Sequence, residues 1–166
     1  PHLLIPVLRK LNDPCIQVSY VSSYCLSQII YYVPSNFCET INDKKDEYNL
    51  QELRLLNNLL NPMSIDSYTI PFDFPVKLRN YQQDGISWLN FLRELNLNGA
   101  LCDDMGLGKT IQSLAIISSD HYKGKNLHSL IICPKILTQH WFDECQKYIP
   151  SHVIQPMVFP FGDASR

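Results

Sequence analysis

The sequence has no long hydrophobic run, no closely spaced cysteine pair and no excess of charge of one sign. No apolar stretch reaches the roughly 18 residues that a membrane-spanning helix needs, and no signal peptide is visible. The formal net charge is only −2 in 166 residues, so composition alone does not indicate nucleic-acid binding. These absences predict a soluble cytosolic or nuclear protein with no membrane partner.

The six cysteines show no C-x-x-C spacing of the kind used in zinc and redox sites. Several stand within apolar runs, which is typical of reduced thiols that pack as small hydrophobic side chains. Cys102 and Cys133 fall within predicted core strands, so we expect both to be buried. The five histidines are dispersed, and no zinc site is predicted.

The pattern along the chain predicts three regions. The chain starts with Pro1 rather than methionine, so we expect a piece of a longer polypeptide. Residues 1–34 contain two apolar helical stretches that resemble the end of a HEAT-like repeat array, with two ordinary helices of a small helical domain as the alternative. Residues 35–73 are largely polar and predict a linker with one helix, from Leu50 to Leu60.

Residues 74–166 alternate between helical and strand-like patterns. An amphipathic helix is predicted from Leu78 to Leu95, and a second from Thr138 to Tyr148. Continuous apolar runs predict three buried strands, at residues 99–103, 129–134 and 153–159. This alternation is typical of an α/β fold with a parallel sheet and flanking helices, of which we expect only the first half here.

The first predicted strand leads into the run Asp103-Asp104-Met105-Gly106-Leu107-Gly108-Lys109-Thr110. A glycine-rich loop that enters a helix directs free backbone N–H groups and the helix dipole at one point, which suits a phosphate. Lys109 would reach the β- and γ-phosphates, and the Thr110 hydroxyl would bind Mg²⁺. The usual pattern, G-x-x-x-x-G-K-[ST], has glycine where this chain has Asp103.

Three blocks together resemble the SWI/SNF-type remodelling ATPases of helicase superfamily two. They are Leu78-Arg79-x-Tyr81-Gln82-x-x-Gly85, the loop Asp103 to Thr110, and Ile132-Cys133-Pro134 with Leu137 and Trp141. In that family Asp103 is the usual variant of the loop. The resemblance implies that residues 74–166 are the N-terminal part of a RecA-like, P-loop ATP-binding lobe.

The resemblance also implies roles for single residues. Gln82 would hydrogen-bond the adenine edge of ATP. The implied nucleotide-binding set is Arg79, Tyr81, Gln82, Asp103, Asp104, Met105, Gly106, Leu107, Gly108, Lys109 and Thr110. The implied contacts with the DNA backbone are Pro134, Leu137, Thr138 and His140, which would carry no sequence information.

The catalytic Asp-Glu box of this family should end a buried strand, so that both carboxylates face the phosphate. Asp143-Glu144 imitates that box but follows His140-Trp141-Phe142 inside an amphipathic helix, so we interpret it as a solvated acid pair. The box and the arginine fingers are therefore expected beyond Arg166, and the isolated chain is predicted not to hydrolyse ATP.

Within the family, three features resemble members that remove the TATA-binding protein from DNA. They are the run Tyr81-Gln82-Gln83-Asp84-Gly85, the run Cys102-Asp103-Asp104-Met105, and the HEAT-like helix pair upstream of the lobe. The resemblance implies ATP and Mg²⁺ as cofactors, double-stranded DNA and the TATA-binding protein as partners, a role in transcription regulation, and a nuclear location. Two alternatives stay open. One is a nucleosome-remodelling ATPase of the same family, and the other is a non-enzymatic helical-repeat module with a degenerate P-loop domain.

Overall fold

The computed structural model describes residues 4–32, 50–124 and 128–159. Within these ranges the regular secondary structure is helical. The α-helices are α1 (Leu4–Arg9), α2 (Ile16–Ile29), α3 (Leu50–Leu60), α4 (Asn80–Glu94), α5 (Lys109–Tyr122) and α6 (Thr138–Tyr148), and short 3-10 helices cover Ile30–Tyr32, Pro62–Ser64 and Lys135–Leu137. None of the helices in these ranges has both the length and the apolar character to cross a bilayer.

The chain divides into two compact units. The first comprises Pro1–Ser67 and Ser87–Ala100, and the second comprises Tyr68–Ile86 and Leu101–Arg166. The core of the first unit is built from leucines of α1, α2 and α3 and from the end of α4. Its buried members are Leu4, Leu8, Leu11, Leu26, Leu56 and Leu95. Burial of these side chains is the main term that stabilises this unit.

The C-terminal end of α4 is closed by a left-handed residue, Asn96, with a φ of 53°. The Asn96 N–H donates to the Arg93 carbonyl at 3.0 Å, and the Leu97 N–H donates to the Leu92 carbonyl at 2.9 Å. This pair of bonds is the Schellman arrangement, which satisfies carbonyls that the helix leaves without a partner. The Asn96 amide also donates to the Asn12 side chain at 2.9 Å, which joins the loop after α1 to this helix end.

The second unit is organised around α5 and α6. Leu114, Cys145 and Ile149 form its buried cluster, against which Trp141, Tyr148, Val153 and Ile154 pack. Burial raises the pKa of the Cys145 thiol above its ordinary value. The segment before α4 is attached by aromatic contacts. The Phe72 ring lies 5.5 Å from that of Tyr122, and the Phe74 ring lies 6.4 Å from that of Tyr148.

Several predicted helices are confirmed. The helices from Leu50 to Leu60 and from Thr138 to Tyr148 have the expected bounds, and α4 lies within the amphipathic range predicted from Leu78 to Leu95. Two helices, α1 and α2, also occur in the N-terminal region. The end of the predicted HEAT-like region and the first part of the predicted linker, residues 33–49, lie outside the described residues.

The predicted parallel sheet is not formed within the described ranges, where residues 99–103, 129–134 and 153–159 contain no assigned strand. Parallel strands need backbone partners on their neighbours and cover on both faces. Here Leu130 is 75% exposed and Ile132 is 88% exposed, so that two-sided cover is missing. The expected burial of Cys102 is wrong for the same reason, because its side chain is exposed, and Cys133 is only half-buried.

Candidate nucleotide-binding site

Two glycines give the loop before α5 its shape. Gly106 and Gly108 have φ angles of 85° and 82°, in the left-handed region that residues with a Cβ seldom adopt. Gly108 is the N-cap of α5, and the first helical bond runs from the Gln112 N–H to the Gly108 carbonyl at 3.2 Å. The amides of the first helical turn therefore have no partner within the helix and are directed out of its N-terminus. This geometry suits an anion.

The Lys109 side chain folds back over the same loop. Its ammonium donates to the main-chain carbonyl of Asp103 at 2.7 Å and to that of Asp104 at 2.9 Å. Both acceptors are neutral carbonyl oxygens, so neither contact pairs the ammonium with an anion. A phosphate oxygen is a stronger acceptor for an ammonium than a carbonyl is. The loop thus holds a cation at the point where a phosphate would be bound.

Gln82 connects the start of α4 to this loop. Its Nε2 donates to the Leu107 carbonyl at 3.1 Å, and its Oε1 accepts a hydrogen bond from the Arg79 backbone N–H at 3.0 Å. The second bond is half of a capping box, in which the third helical residue caps the residue before the helix. Both ends of the Gln82 amide therefore have protein partners.

A cleft of about 460 Å³ lies above the loop, and its lining residues all belong to the second unit. Seven of the predicted nucleotide-binding residues line it, namely Arg79, Tyr81, Gln82, Gly106, Gly108, Lys109 and Thr110. Asp103, Asp104, Met105 and Leu107 belong to the loop but are not among the lining residues. Met105 is 96% exposed at the loop apex.

Of the four residues predicted to contact DNA, one lines the cleft and three do not. His140 lines the cleft, whereas Pro134, Leu137 and Thr138 do not. Pro134 and Leu137 lie just before α6, and Thr138 is its first residue. The Thr138 hydroxyl lies 3.9 Å from the Cys133 sulfur. Only His140 of this set is therefore placed beside the phosphate loop.

Sequence reasoning missed one wall of the cleft. His140, Glu144 and Tyr148 lie four residues apart on α6 and line the cleft together, as do Val76, Lys77 and Ile111. The interval of four residues, which puts side chains on one helix face, was the available signal.

The Asp143-Glu144 pair lies within α6 and its two carboxylates have different partners. Asp143 accepts a hydrogen bond from Gln139 at 2.8 Å, while Glu144 is 3.8 Å from Lys147. Asp143 is exposed, as expected for a solvated acid. Glu144 is half-buried and lines the cleft, so that part of the interpretation is wrong.

In the described part of the chain, no three side chains of histidine, cysteine, aspartate or glutamate gather as a metal site. The Thr110 hydroxyl, which would bind Mg²⁺, is half-buried and lines the cleft next to Lys109. Its place at the start of α5 fits a metal held jointly with phosphate oxygens.

Comparison with known families identifies this part of the chain. The family model for the SNF2-related domain matches residues 81–165. The chain belongs to the SNF2-related domain family. This match confirms the resemblance to SWI/SNF-type ATPases. The SNF2-related domain implies a RecA-like helicase lobe. The RecA-like class comes from this match and not from a sheet in the described residues.

Relatives of this SNF2-related chain extend the similarity beyond that domain. The chain is 34% identical to the TATA-binding protein-associated factor mot1 of Schizosaccharomyces pombe over 99% of its own length. It is 34% identical to the human TATA-binding protein-associated factor 172 over 93% of its length. It is also 40% identical, over 45% of its length, to the ISWI chromatin-remodeling complex ATPase CHR17 of Arabidopsis thaliana. The chain spans about 9% of the length of the first two relatives.

Proposed function

We propose that this chain is the nucleotide-binding part of an ATP-dependent DNA translocase that displaces the TATA-binding protein from DNA and so regulates transcription. The observation that carries the proposal is the phosphate loop, in which Lys109 and the open N-terminus of α5 meet at one cleft. Two relatives named as TATA-binding protein-associated factors, similar over more than nine-tenths of the chain, support the choice of cargo.

The binding residues would act by exchange of partners. Lys109 would release the carbonyls of Asp103 and Asp104 and donate to phosphate oxygens instead. The amides at the start of α5 would donate to the same group, and Thr110 would hold Mg²⁺. Bound ATP would supply the phosphoanhydride bond whose hydrolysis drives translocation. Gln82 would hydrogen-bond adenine only after it breaks its bond to the Arg79 N–H or to the Leu107 carbonyl.

The finer architecture is also part of the proposal. Residues 1–34 would end a HEAT-like array that grips the cargo, residues 35–73 would connect it, and residues 74–166 would begin the ATP-binding lobe. In the assembled lobe the apolar segments at 129–134 and 153–159 would pair as parallel strands. Pro134, Leu137, Thr138 and His140 would contact double-stranded DNA, and the protein would act in the nucleus.

The isolated chain should bind ATP without hydrolysing it. Phosphoryl transfer depends on carboxylates and arginines that position water and stabilise charge, and Asp143 and Glu144 point to different partners. The Asp-Glu box and the arginine fingers would lie in a part of the lobe after Arg166. ATP turnover by the 166-residue chain that Lys109→Ala abolishes would contradict this.

The first test is ATP binding by the 166-residue chain, measured by fluorescence of a labelled ATP analogue with Mg²⁺. Lys109→Ala should weaken binding by at least tenfold, because it removes the charged donor at the phosphate. Lys123→Ala, which changes a lysine just after the other end of α5, is the matched control and should bind as the unaltered chain does. Equal binding by the Lys109→Ala chain would show that the loop is not the nucleotide site.

The second test concerns the cargo and uses the longer protein. Loss of TATA-binding protein from promoter DNA should require Mg-ATP and should fail with Lys109→Ala and with a non-hydrolysable analogue. The identity with an ISWI chromatin-remodeling ATPase favours nucleosomes as the second candidate cargo. ATP hydrolysis without loss of TATA-binding protein would favour that candidate, and absence of hydrolysis would favour a non-enzymatic module.

A further inference from the structure

One fully buried amide, that of Gln112, lies directly behind the phosphate loop. Gln112 stands one turn into α5, and its backbone N–H forms the first hydrogen bond of that helix. Its side-chain Nε2 donates to the Asp103 carboxylate at 3.1 Å. The Gln112 side chain therefore links the helix that follows the loop to the residue at which the loop begins.

Asp103 is held at two atoms. While its carboxylate accepts the Gln112 bond, its main-chain carbonyl accepts the Lys109 ammonium at 2.7 Å. In a plain P-loop pattern this position is glycine, which has no side chain for such a link. The Asp103 side chain thus adds a second hydrogen bond that holds the start of the loop, besides the bond from Lys109 to its carbonyl.

Burial of the Gln112 amide lowers the stability of the fold. Its Oε1 is buried and has no hydrogen-bond partner among the described residues. A Cβ built on Gly85 of α4 would come within 2.0 Å of that oxygen, so α4 packs closely over it. A buried polar atom without a partner lowers stability, and an apolar side chain of the same length would avoid that cost. The amide is therefore better explained by its donor than by packing.

We propose that Gln112 is a positioning residue for phosphate binding, which acts through Asp103. The proposal rests on the proposed binding of ATP at this loop. The Gln112–Asp103 bond closes the segment from Asp103 to Lys109 and restricts the conformations of the free loop. A loop that is already ordered loses less entropy when it binds a ligand, so the bond increases affinity without touching the nucleotide.

The deciding variant is Gln112→Met, which keeps the length and burial of the side chain but removes the amide. In the 166-residue chain we expect labelled-ATP affinity to fall about tenfold, as for loss of a hydrogen bond to a charged group, while the unfolding temperature does not fall. Gln139→Met is the matched control, because Gln139 makes the same kind of bond to Asp143 on the exposed face of α6. It should change neither quantity.

A reciprocal exchange tests the direct link. Gln112→Glu places two carboxylates in contact and should weaken ATP binding by tenfold or more. Adding Asp103→Asn restores one amide and one carboxylate with their places reversed, and should recover affinity to within about threefold of Asp103→Asn alone. The rescue requires direct contact between the side chains at positions 103 and 112, so its absence would contradict the Gln112–Asp103 link.

The outcomes separate this inference from the proposed function. Unchanged ATP affinity in Gln112→Met, a parallel fall of affinity and unfolding temperature, or no rescue in the double variant would overturn the positioning role. In each case Lys109→Ala would still weaken ATP binding by at least tenfold if the loop is the ATP site. Should Lys109→Ala bind ATP normally, the proposed function fails first and the inference fails with it.

Discussion

The side-chain amide of Gln82 lies 3.1 Å from the carbonyl oxygen of Leu107, 25 residues further along the chain. The contact also constrains the next residue, because a Cβ built on Gly108 would come within 2.5 Å of the Gln82 nitrogen. The bond therefore couples the start of α4 to the left-handed glycine that caps α5. Neither residue can change without effect on the other.

Two glycine substitutions separate backbone strain from this contact. Gly106→Ala should destabilise the chain by about 1 kcal/mol, because alanine is strained in the left-handed region and no atom lies within 4 Å of its new Cβ. Gly108→Ala has nearly the same φ but also displaces Gln82, so its total cost should be about 2–3 kcal/mol. Urea unfolding of both variants measures the difference. Equal losses would mean that the Gln82 contact carries no energy.

The close approach of Gly85 to Gln112 predicts a change of sign between two backgrounds. In the unaltered chain Gly85→Ala should lower the unfolding free energy by about 1–2 kcal/mol, because its Cβ overlaps the buried amide. In a Gln112→Ala background the overlap is absent, and Gly85→Ala should stabilise α4 by roughly 0.5–1 kcal/mol through helix propensity. Denaturant unfolding of the four chains gives both values. An unchanged sign would disprove the contact.

Cys145 predicts a pH dependence of stability at alkaline pH. Burial raises the pKa of its thiol in the folded chain above the ordinary value of 9.0, so the unfolded chain loses this proton first as the pH rises. The contribution to stability is complete below that value and is lost as the pH increases through the raised pKa of the folded chain. The unfolding free energy should therefore fall less steeply above about pH 9 in Cys145→Ala.

Ile149→Val is the control for this experiment. It removes apolar volume from the same cluster without removing a titratable group. It should lower the unfolding free energy at every pH, by about 0.5–1.5 kcal/mol, and leave the alkaline slope as it is. A slope in Cys145→Ala equal to that of the unaltered chain would mean that the thiol does not contribute.

Local patterns were sufficient for the helices. The leucines of α3 repeat at helical spacing, and Asn61-Pro62 marks its end, so its bounds followed from short-range signals. The same helical spacing predicts which face of α6 is buried, and Trp141 packs on that face against the cluster of the second unit. The two halves of α4 contribute to different units, which no local pattern indicates.

The strands could not be obtained in this way, because a strand exists only through its partners. The run Leu130-Ile131-Ile132 has the composition of a buried strand, but in the described residues it is uncovered and unpaired. Hydrophobicity expresses what a segment could bury and not what is present to cover it. The burial expected for Cys102 failed through the same dependence on distant cover.

The candidate site was predictable at the loop and less so around it. Gly106, Gly108, Lys109 and Thr110 follow from a motif with a physical basis. The Gln82 capping bond and the Gln112–Asp103 link depend on how α4 and α5 pack, which the sequence pattern does not report. A glutamine close to the apolar residues Ile111 and Leu114 of α5 was the available signal for the second of these.

The uncovered segments also decide how the chain behaves at high concentration. Leu130, Ile132, Met157 and Phe159 present apolar side chains to water, and their backbone has no ladder partner among the residues that the structure describes. Such stretches pair readily with a second copy of themselves, which is the usual origin of self-association at open sheet edges. Solubility of the isolated chain is therefore limited by the segments proposed to form the sheet, and charged substitutions at Leu130 or Ile132 should raise it.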